Sequence, residues 1–270
     1  MVNSMNMGIL IIIGGAEDKD GECGILKEFV SLAGAGTARI TVITTATEKP
    51  KEAGVQYKAV FTRLGAAETN ILDINSRDDA DVLNYSRMVS ESTGIFFTGG
   101  DQLRITSILG GTGIYNALHD AYKSGSVIAG TSAGASAMSR TMIVEGNDND
   151  PARKCTLKMA PGLGLLEAVL IDQHFHQRGR IGRLLCGVAE NPSILGIGID
   201  EDTAVKVFPD GHFEVIGSNS VTVADGRHIK SSNVSELKPD ENLAIAHVII
   251  HVLPAGYGFD LKKREVIRLG

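Results

Sequence analysis
Short apolar runs, many of them β-branched, alternate with segments of helical spacing along the first three quarters of the chain. Residues 8–13 (GILIII) are continuously apolar after the glycine and end at Gly14 and Gly15, the pattern of a strand buried on both faces. Helical spacing follows over residues 24–33, then a second buried strand over 39–44 (RITVIT). The alternation continues with a helix over 51–64, a short strand over 70–74, a helix over 78–89 and a strand over 94–97 (GIFF). Further strands are expected at 126–129, 169–173 and 194–200. Apolar runs separated by helices imply βαβ units, because a parallel neighbour needs a crossover of a dozen or more residues. The expected fold class is therefore α/β with a mostly parallel sheet. After Glu201 the texture changes. Residues 203–216 read as a hairpin about the turn PDG, and strands near 220–224 and 244–251 make the C-terminal quarter β-rich.

No Pro/Ser-rich stretch, long charge run, low-complexity segment or repeat interrupts this pattern, so residues 1–270 are expected to form a single domain. At 270 residues and 43% hydrophobic content the chain can bury a substantial core. Acidic residues outnumber basic ones by 32 to 26, a net charge of −6, which argues against nucleic acid as the partner. Cys23, Cys155 and Cys186 are odd in number and lack C-x-x-C spacing, so neither a disulfide framework nor a zinc knuckle is expected. The N-terminal apolar run is too short to span a membrane and has no basic start or cleavage pattern. The expectation is a cytoplasmic protein with no membrane partner.

In open parallel sheets, ligands bind beyond the carboxyl ends of the strands, and the chemically loaded stretches collect there. GGAED follows the first strand, TGGDQ follows GIFF, and GTSAGA follows SVIA. QHFHQRGRIGR and DED follow the next two strands. GTSAG fits a nucleophile elbow, a strained strand–turn–helix junction that exposes Ser132. Gly130 and Gly134 would allow close approach, and the N–H of Ala133 could donate to an oxyanion. The competing reading is a small-residue packing junction; the position directly after an apolar strand favours the elbow.

Of the seven histidines, only His174 and His176 lie just past a strand near the others, which makes His174 the candidate base. Asp200, Glu201 and Asp202 are all candidates for the acid that orients it. Asp172, His174 and His176 share strand parity, so a metal cluster is the sharpest rival. It lacks a second histidine cluster on this edge, and His176 reads better as a solvated loop residue or a supporting partner. If a helix starts near Arg178, then Arg178 and Arg180 occupy a first turn that disfavours cations. With Arg183, they suggest a bound anionic ligand about as strongly as a solvated cationic face. TGGDQ offers a second oxyanion donor at Gly100 and a polar reader in Gln102. GGAED does not satisfy G-x-G-x-x-G and is rejected as a dinucleotide loop.

Together, ILIIIGGAEDK, TGGDQLRI, AGTSAGASAMS, DQHFHQRGRIGRL and GIGIDEDTA resemble the cyanophycinases, serine exopeptidases of the same peptidase family as aspartyl dipeptidase. The resemblance implies a flavodoxin-like three-layer fold with helices on both faces of the central sheet, and a homodimer. It implies cyanophycin, multi-L-arginyl-poly-L-aspartate, as the substrate and β-Asp-Arg dipeptide as the product. Carried over by motif, Ser132 is the nucleophile, His174 the base and Glu201 the orienting acid, with Gly100 and Ala133 at the oxyanion hole. Gln102, Asp172, Gln173, Arg178, Arg180 and Arg183 would read the substrate. No cofactor or metal is called for, because a serine–histidine pair with an oxyanion hole suffices for amide cleavage. The alternatives are a serine dipeptidase acting on short aspartyl peptides, and a metal-dependent hydrolase using His174 and His176.

Overall fold
The structure, a computed structural model, describes residues 7–153, 157–238 and 240–269; Cys155 lies outside them. The first half of the chain builds β1 (Leu10–Ile13), α1 (Gly24–Leu32), β2 (Arg39–Ile43), α2 (Pro50–Arg63) and β3 (Glu68–Leu72). It continues through α3 (Arg77–Ala80), α4 (Leu83–Ser90), β4 (Gly94–Phe97), α5 (Gln102–Leu109) and α6 (Gly113–Lys123) to β5 (Val127–Thr131) and the single turn α7 (Ala133–Ser136). Next come β6 (Thr141–Gly146), β7 (Leu157–Pro161), β8 (Val169–Asp172), α8 (Ile181–Glu190), β9 (Leu195–Ile199), β10 (Thr203–Val207), β11 (His212–Gly217) and β12 (Ser220–Asp225). The short β13 (Ser231–Ser232) and β14 (Ile245–Ala246) precede β15 (Ile249–Pro254), β16 (Tyr257–Asp260) and β17 (Glu265–Arg268).

Among the described residues, nine strands form one sheet in the order β17-β16-β11-β10-β1-β5-β4-β2-β3. The half from β1 to β3 is parallel throughout, as the alternation of apolar runs and helices predicts. β10, β11, β16 and β17 continue it antiparallel, which is where the C-terminal extension goes. One face buries Ile11, Ile13, Val42 and Phe96 against α1 and α2, where the rings of Phe29 and Tyr57 each meet both Phe61 and Phe96. On the other face, Ile12, Ile43 and Phe97 share a core with Val89 of α4, Ile105 of α5 and Leu118 of α6. Fully buried strands explain why these segments read as unbroken apolar runs rather than alternating ones.

The chain departs from the simple pattern at β8 and β9. They pair in parallel with each other, but in a second sheet, β15-β12-β9-β8. One face of this sheet joins the core of β10, β11 and β16 through Ile197, Val223 and Phe213. The other face carries Ala224 under α8, against Leu184, Val188 and Phe175. The helix expected over 78–89 is broken between α3 and α4, and α3 opens on a reciprocal capping box of Ser76 and Asp79. No helix among the described residues is long and apolar enough to cross a membrane.

Candidate active site
Between β5 and α7, Ser132 has φ 52° and ψ −110°, a conformation that costs a non-glycine residue strain. Three features hold it there. The Ser132 N–H donates to the Ile13 carbonyl at 3.0 Å, the Ser132 carbonyl accepts from Ala135 and Ser136, and Gly134 lets α7 lie against β4. A Cβ on Gly134 would fall 2.6 Å from the Phe97 carbonyl oxygen, so a larger residue would lever the turn away. The junction is thus both readings at once: small residues pack α7 on the sheet, and that packing turns Ser132 outward. Its side chain opens into a cavity of about 420 Å³ that also touches Gly100, Gln102, Gln173 and Arg178.

His174 follows β8 with φ 47°, and its N–H is fixed by the Gly14 carbonyl at 2.7 Å. Its Nε2 lies 3.0 Å from Ser132 Oγ, and its Nδ1 lies 2.6 Å from Glu201 Oε1. A carboxylate on Nδ1 keeps the proton on that nitrogen and leaves Nε2 to accept from the serine hydroxyl. Ser132 Oγ is also 3.2 Å from Gln173 Oε1, and its single proton can go to only one of the two. The other acids of DED are spent elsewhere. Asp200 accepts from the His176 N–H and the Ser220 hydroxyl, and Asp202 accepts from the Asp18 N–H and the Ser218 hydroxyl. Strand parity would set Glu201 apart from both, and the turn beginning after β9 with Asp202 at φ 47° swings it onto the imidazole. Burial pulls the His174 pKa below its ordinary 6.5, the Glu201 hydrogen bond opposes this, and the Arg178 and Arg180 charges add to the fall.

The arginines sit differently from the expectation of a helix beginning near residue 178. Residues 175–180 are turns, Gly179 is left-handed, and α8 starts at Ile181. Arg180 is then the residue before the helix, and Arg183 lies in its first turn. Asp172 neutralises that cationic turn. It is buried, and Arg183 meets it through Nε at 2.6 Å and through Nη2 at 2.5 Å, with Arg180 Nη1 at 3.5 Å. Arg180 Nε also donates to Asp148 at 2.7 Å, and Arg183 Nη1 to the Gly146 carbonyl at 3.0 Å. Burial disfavours the Asp148 carboxylate, but the Arg180 hydrogen bond and the charges of Arg180, Arg183 and Arg178 outweigh it and lower its pKa. Arg178 alone of the three has no side-chain hydrogen bond or ion pair among the described residues, and it is exposed on the cavity wall. Gln102 faces the cavity while its Nε2 donates to the carbonyls of Ile143 and Val144 at 2.7 and 2.9 Å.

Sequence reasoning missed the β6–β7 hairpin, which brings Glu145, Gly146 and Asn147 to the cavity and Asp148 to Arg180. Its signal was available: apolar MIV before the NDND turn and apolar residues again in TLKMAP. Asp172 does not join His174 and His176 as the metal reading would need, because its carboxylate is bound to arginine and His176 is exposed. Among the described residues, no three His, Cys, Asp or Glu side chains are grouped to hold a metal ion.

Residues 10–216 match the model of peptidase family S51. The chain belongs to peptidase family S51. It is a hydrolytic peptidase, of the serine type by its family. A cyanophycinase of Nostoc sp. is 38% identical over 259 residues, 96% of this chain and 87% of that protein. A cyanophycinase of Thermosynechococcus vestitus is 37% identical over 265 residues, 98% of this chain and 82% of its own length. The crystal structure of a peptidase from an acI-B1 Actinobacterium matches with a TM-score of 0.66 at 23% identity, covering 97% of both chains. A putative peptidase E from Listeria monocytogenes matches with a TM-score of 0.54 at 19% identity, covering 78% of this chain and 98% of that one. These last two speak for the fold alone. The S51 match ends within β11, so the sheet formed by β12 and β15 with β9 and β8 lies partly beyond it.

Proposed function
We propose that this S51 peptidase hydrolyses cyanophycin from an end and releases β-Asp-Arg, with Ser132 as nucleophile, His174 as general base and acid, and Glu201 as the carboxylate that orients it. The observation that carries the reading is the chain of contacts from Ser132 Oγ to His174 Nε2 and from His174 Nδ1 to Glu201, built on a strained elbow. His174 takes the hydroxyl proton as Oγ bonds to the scissile carbonyl carbon, and the carbonyl oxygen becomes the oxyanion. The N–H groups of Ala133, at the first position of α7, and of Gly100, on the adjoining wall, are the donors assigned to it. Collapse breaks the C–N bond as His174 protonates the leaving amine. Water then attacks the acyl-enzyme by the same route in reverse.

Substrate reading divides unequally among the arginines. Asp172 and Asp148 offset the charges of Arg183 and Arg180, so Arg178 is the cation left for a substrate carboxylate. Gln102 and Gln173 supply the neutral polar wall. Arg180, Arg183 and Asp172 act on the substrate through the shape and potential of the wall they hold. The protein works as a homodimer in this reading, as the resemblance to the cyanophycinases implies, and in the reducing cytoplasm that its cysteine usage suggests. Incubating the protein with purified cyanophycin, with and without EDTA, and following products by mass spectrometry tests the substrate. Release of β-Asp-Arg unaffected by EDTA is expected. An inert polymer together with turnover of short aspartyl peptides would replace cyanophycin by the dipeptidase substrate.

A further inference from the structure
GGAED carries no nucleophile and no base for the reaction, yet the loops of all three triad side chains hang on the segment 13–18. The Ile13 carbonyl accepts from the Ser132 N–H at 3.0 Å, the Gly14 carbonyl from the His174 N–H at 2.7 Å, and the Gly15 carbonyl from the Asp202 N–H, next to Glu201, at 2.9 Å. The Asp18 N–H adds a bond to Asp202 Oδ1 at 2.9 Å. Gly15 also backs the imidazole: a Cβ there would lie 2.3 Å from His174 Cε1 and 2.5 Å from Nε2. Glu17 completes the set from the serine side. Its side chain is fully buried, accepts from the hydroxyls of Thr131 and Tyr57 at 2.5 Å each, and pairs with Lys19 Nζ at 2.9 Å.

We propose that Glu17 is a positioning residue for Ser132, acting through Thr131, as the anchored end of a segment that sets the spacing of the three triad side chains. Thr131 is the last residue before the strained serine, and strain of that kind persists only where the surroundings over-determine it. The Gly134 contact fixes the far side of the turn; the Thr131 hydroxyl on Glu17 fixes the near side. A buried carboxylate is a costly way to fill space, since an apolar side chain of similar volume often serves stability as well or better. What the charge adds is strong, directed hydrogen bonds to two hydroxyl groups on different elements. The inference rests on Ser132 being the nucleophile and is independent of which peptide is the substrate.

The test is the reaction of Ser132 with a fluorophosphonate, resolved into binding and bond-forming constants, in the full chain and in Thr131→Val, Glu17→Gln and the double variant. Each is measured at a temperature well below its own unfolding transition. We expect the bond-forming constant to fall about tenfold in Thr131→Val, with the binding constant changed less than twofold. The double variant should be no slower than the slower single one, because both substitutions break the same link. A Thr131→Val protein that remains folded and reacts at the wild-type rate overturns the proposal, as does a double variant whose losses multiply. A wild-type chain in which Ser132 does not react at all removes the serine mechanism and the proposal with it.

Discussion
Ala16, Ser132, His174 and Asp202 are all non-glycine residues at positive φ, and all lie in turns at the carboxyl ends of strands. The triad geometry is assembled from sharp reversals at which the chain accepts strain in exchange for direction. Ser132 and His174 stood out from their own motifs, whereas Glu201 was set apart from Asp200 and Asp202 by the resemblance alone. Parity fails at the first left-handed residue, and only the fold reveals that Asp200 and Asp202 are consumed by backbone and serine partners. The roles of the arginines were likewise half legible. Three cations beside a histidine suggested an anion, but Asp148, more than twenty residues away in sequence, offsets part of that charge. Two outcomes follow for the remaining cation. Losing a charge-assisted hydrogen bond of about 1.5–3 kcal/mol, Arg178→Ala should raise KM about tenfold or more. Removing the positive charge also favours the imidazolium, so the His174 pKa should rise. Because His174 must be neutral to act as base, the acid limb of kcat/KM, which starts below the ordinary histidine range, should move to higher pH in that variant. A limb that stays in place or moves lower would show that Arg178 does not act on His174.

At the scale of elements, local pattern identified β8 and β9 as buried parallel strands but could not assign them to a sheet. Periodicity records whether both faces are covered, and a second sheet covers them as well as helices do. The antiparallel extension was visible as a change of texture, and its hairpin about Pro209 was found where expected. What ties it down was not visible. Asp225, at the end of β12, is buried and accepts from the Arg227 N–H at 2.9 Å, from Arg227 Nε at 2.9 Å and from Arg264 Nη1 at 2.6 Å. Arg264 lies in the β16–β17 turn, so this carboxylate joins the two sheets. Burial works against it, but these hydrogen bonds prevail and its pKa is lowered from 3.8. Its contribution to stability is therefore full above the unfolded-state pKa and is lost as pH falls through the lower folded value. Asp225→Asn should cost about 3–5 kcal/mol at neutral pH, the penalty for breaking one partner of a buried pair. The deficit should shrink as acid titrates the wild-type group, readable by urea unfolding across pH. A deficit independent of pH would assign the effect to packing.

For the whole molecule, the chain is net acidic, yet three arginines line the wall beside Ser132 and Arg178 among them is left without an acidic side-chain partner among the described residues, which cannot be read from composition. Near full-length similarity to the cyanophycinases, with a site whose parts meet in three dimensions, supports the polymer as substrate more than either does alone. Assembly is a separate matter: sedimentation equilibrium should give twice the mass of the chain, and a monomer at micromolar concentration would contradict the homodimer. The fold was legible because alternating strands and helices leave few topologies open. The candidate site residues could be picked out because they cluster in motifs, whereas the residues that hold them are scattered from Glu17 to Asp202. The most direct test of the account compares the wild-type protein with Ser132→Ala on purified cyanophycin, with products identified by mass spectrometry. β-Asp-Arg is expected from the wild type and, from the folded variant, a loss of turnover of about 10⁴-fold or more; release of the dipeptide by Ser132→Ala at an undiminished rate would contradict the serine mechanism.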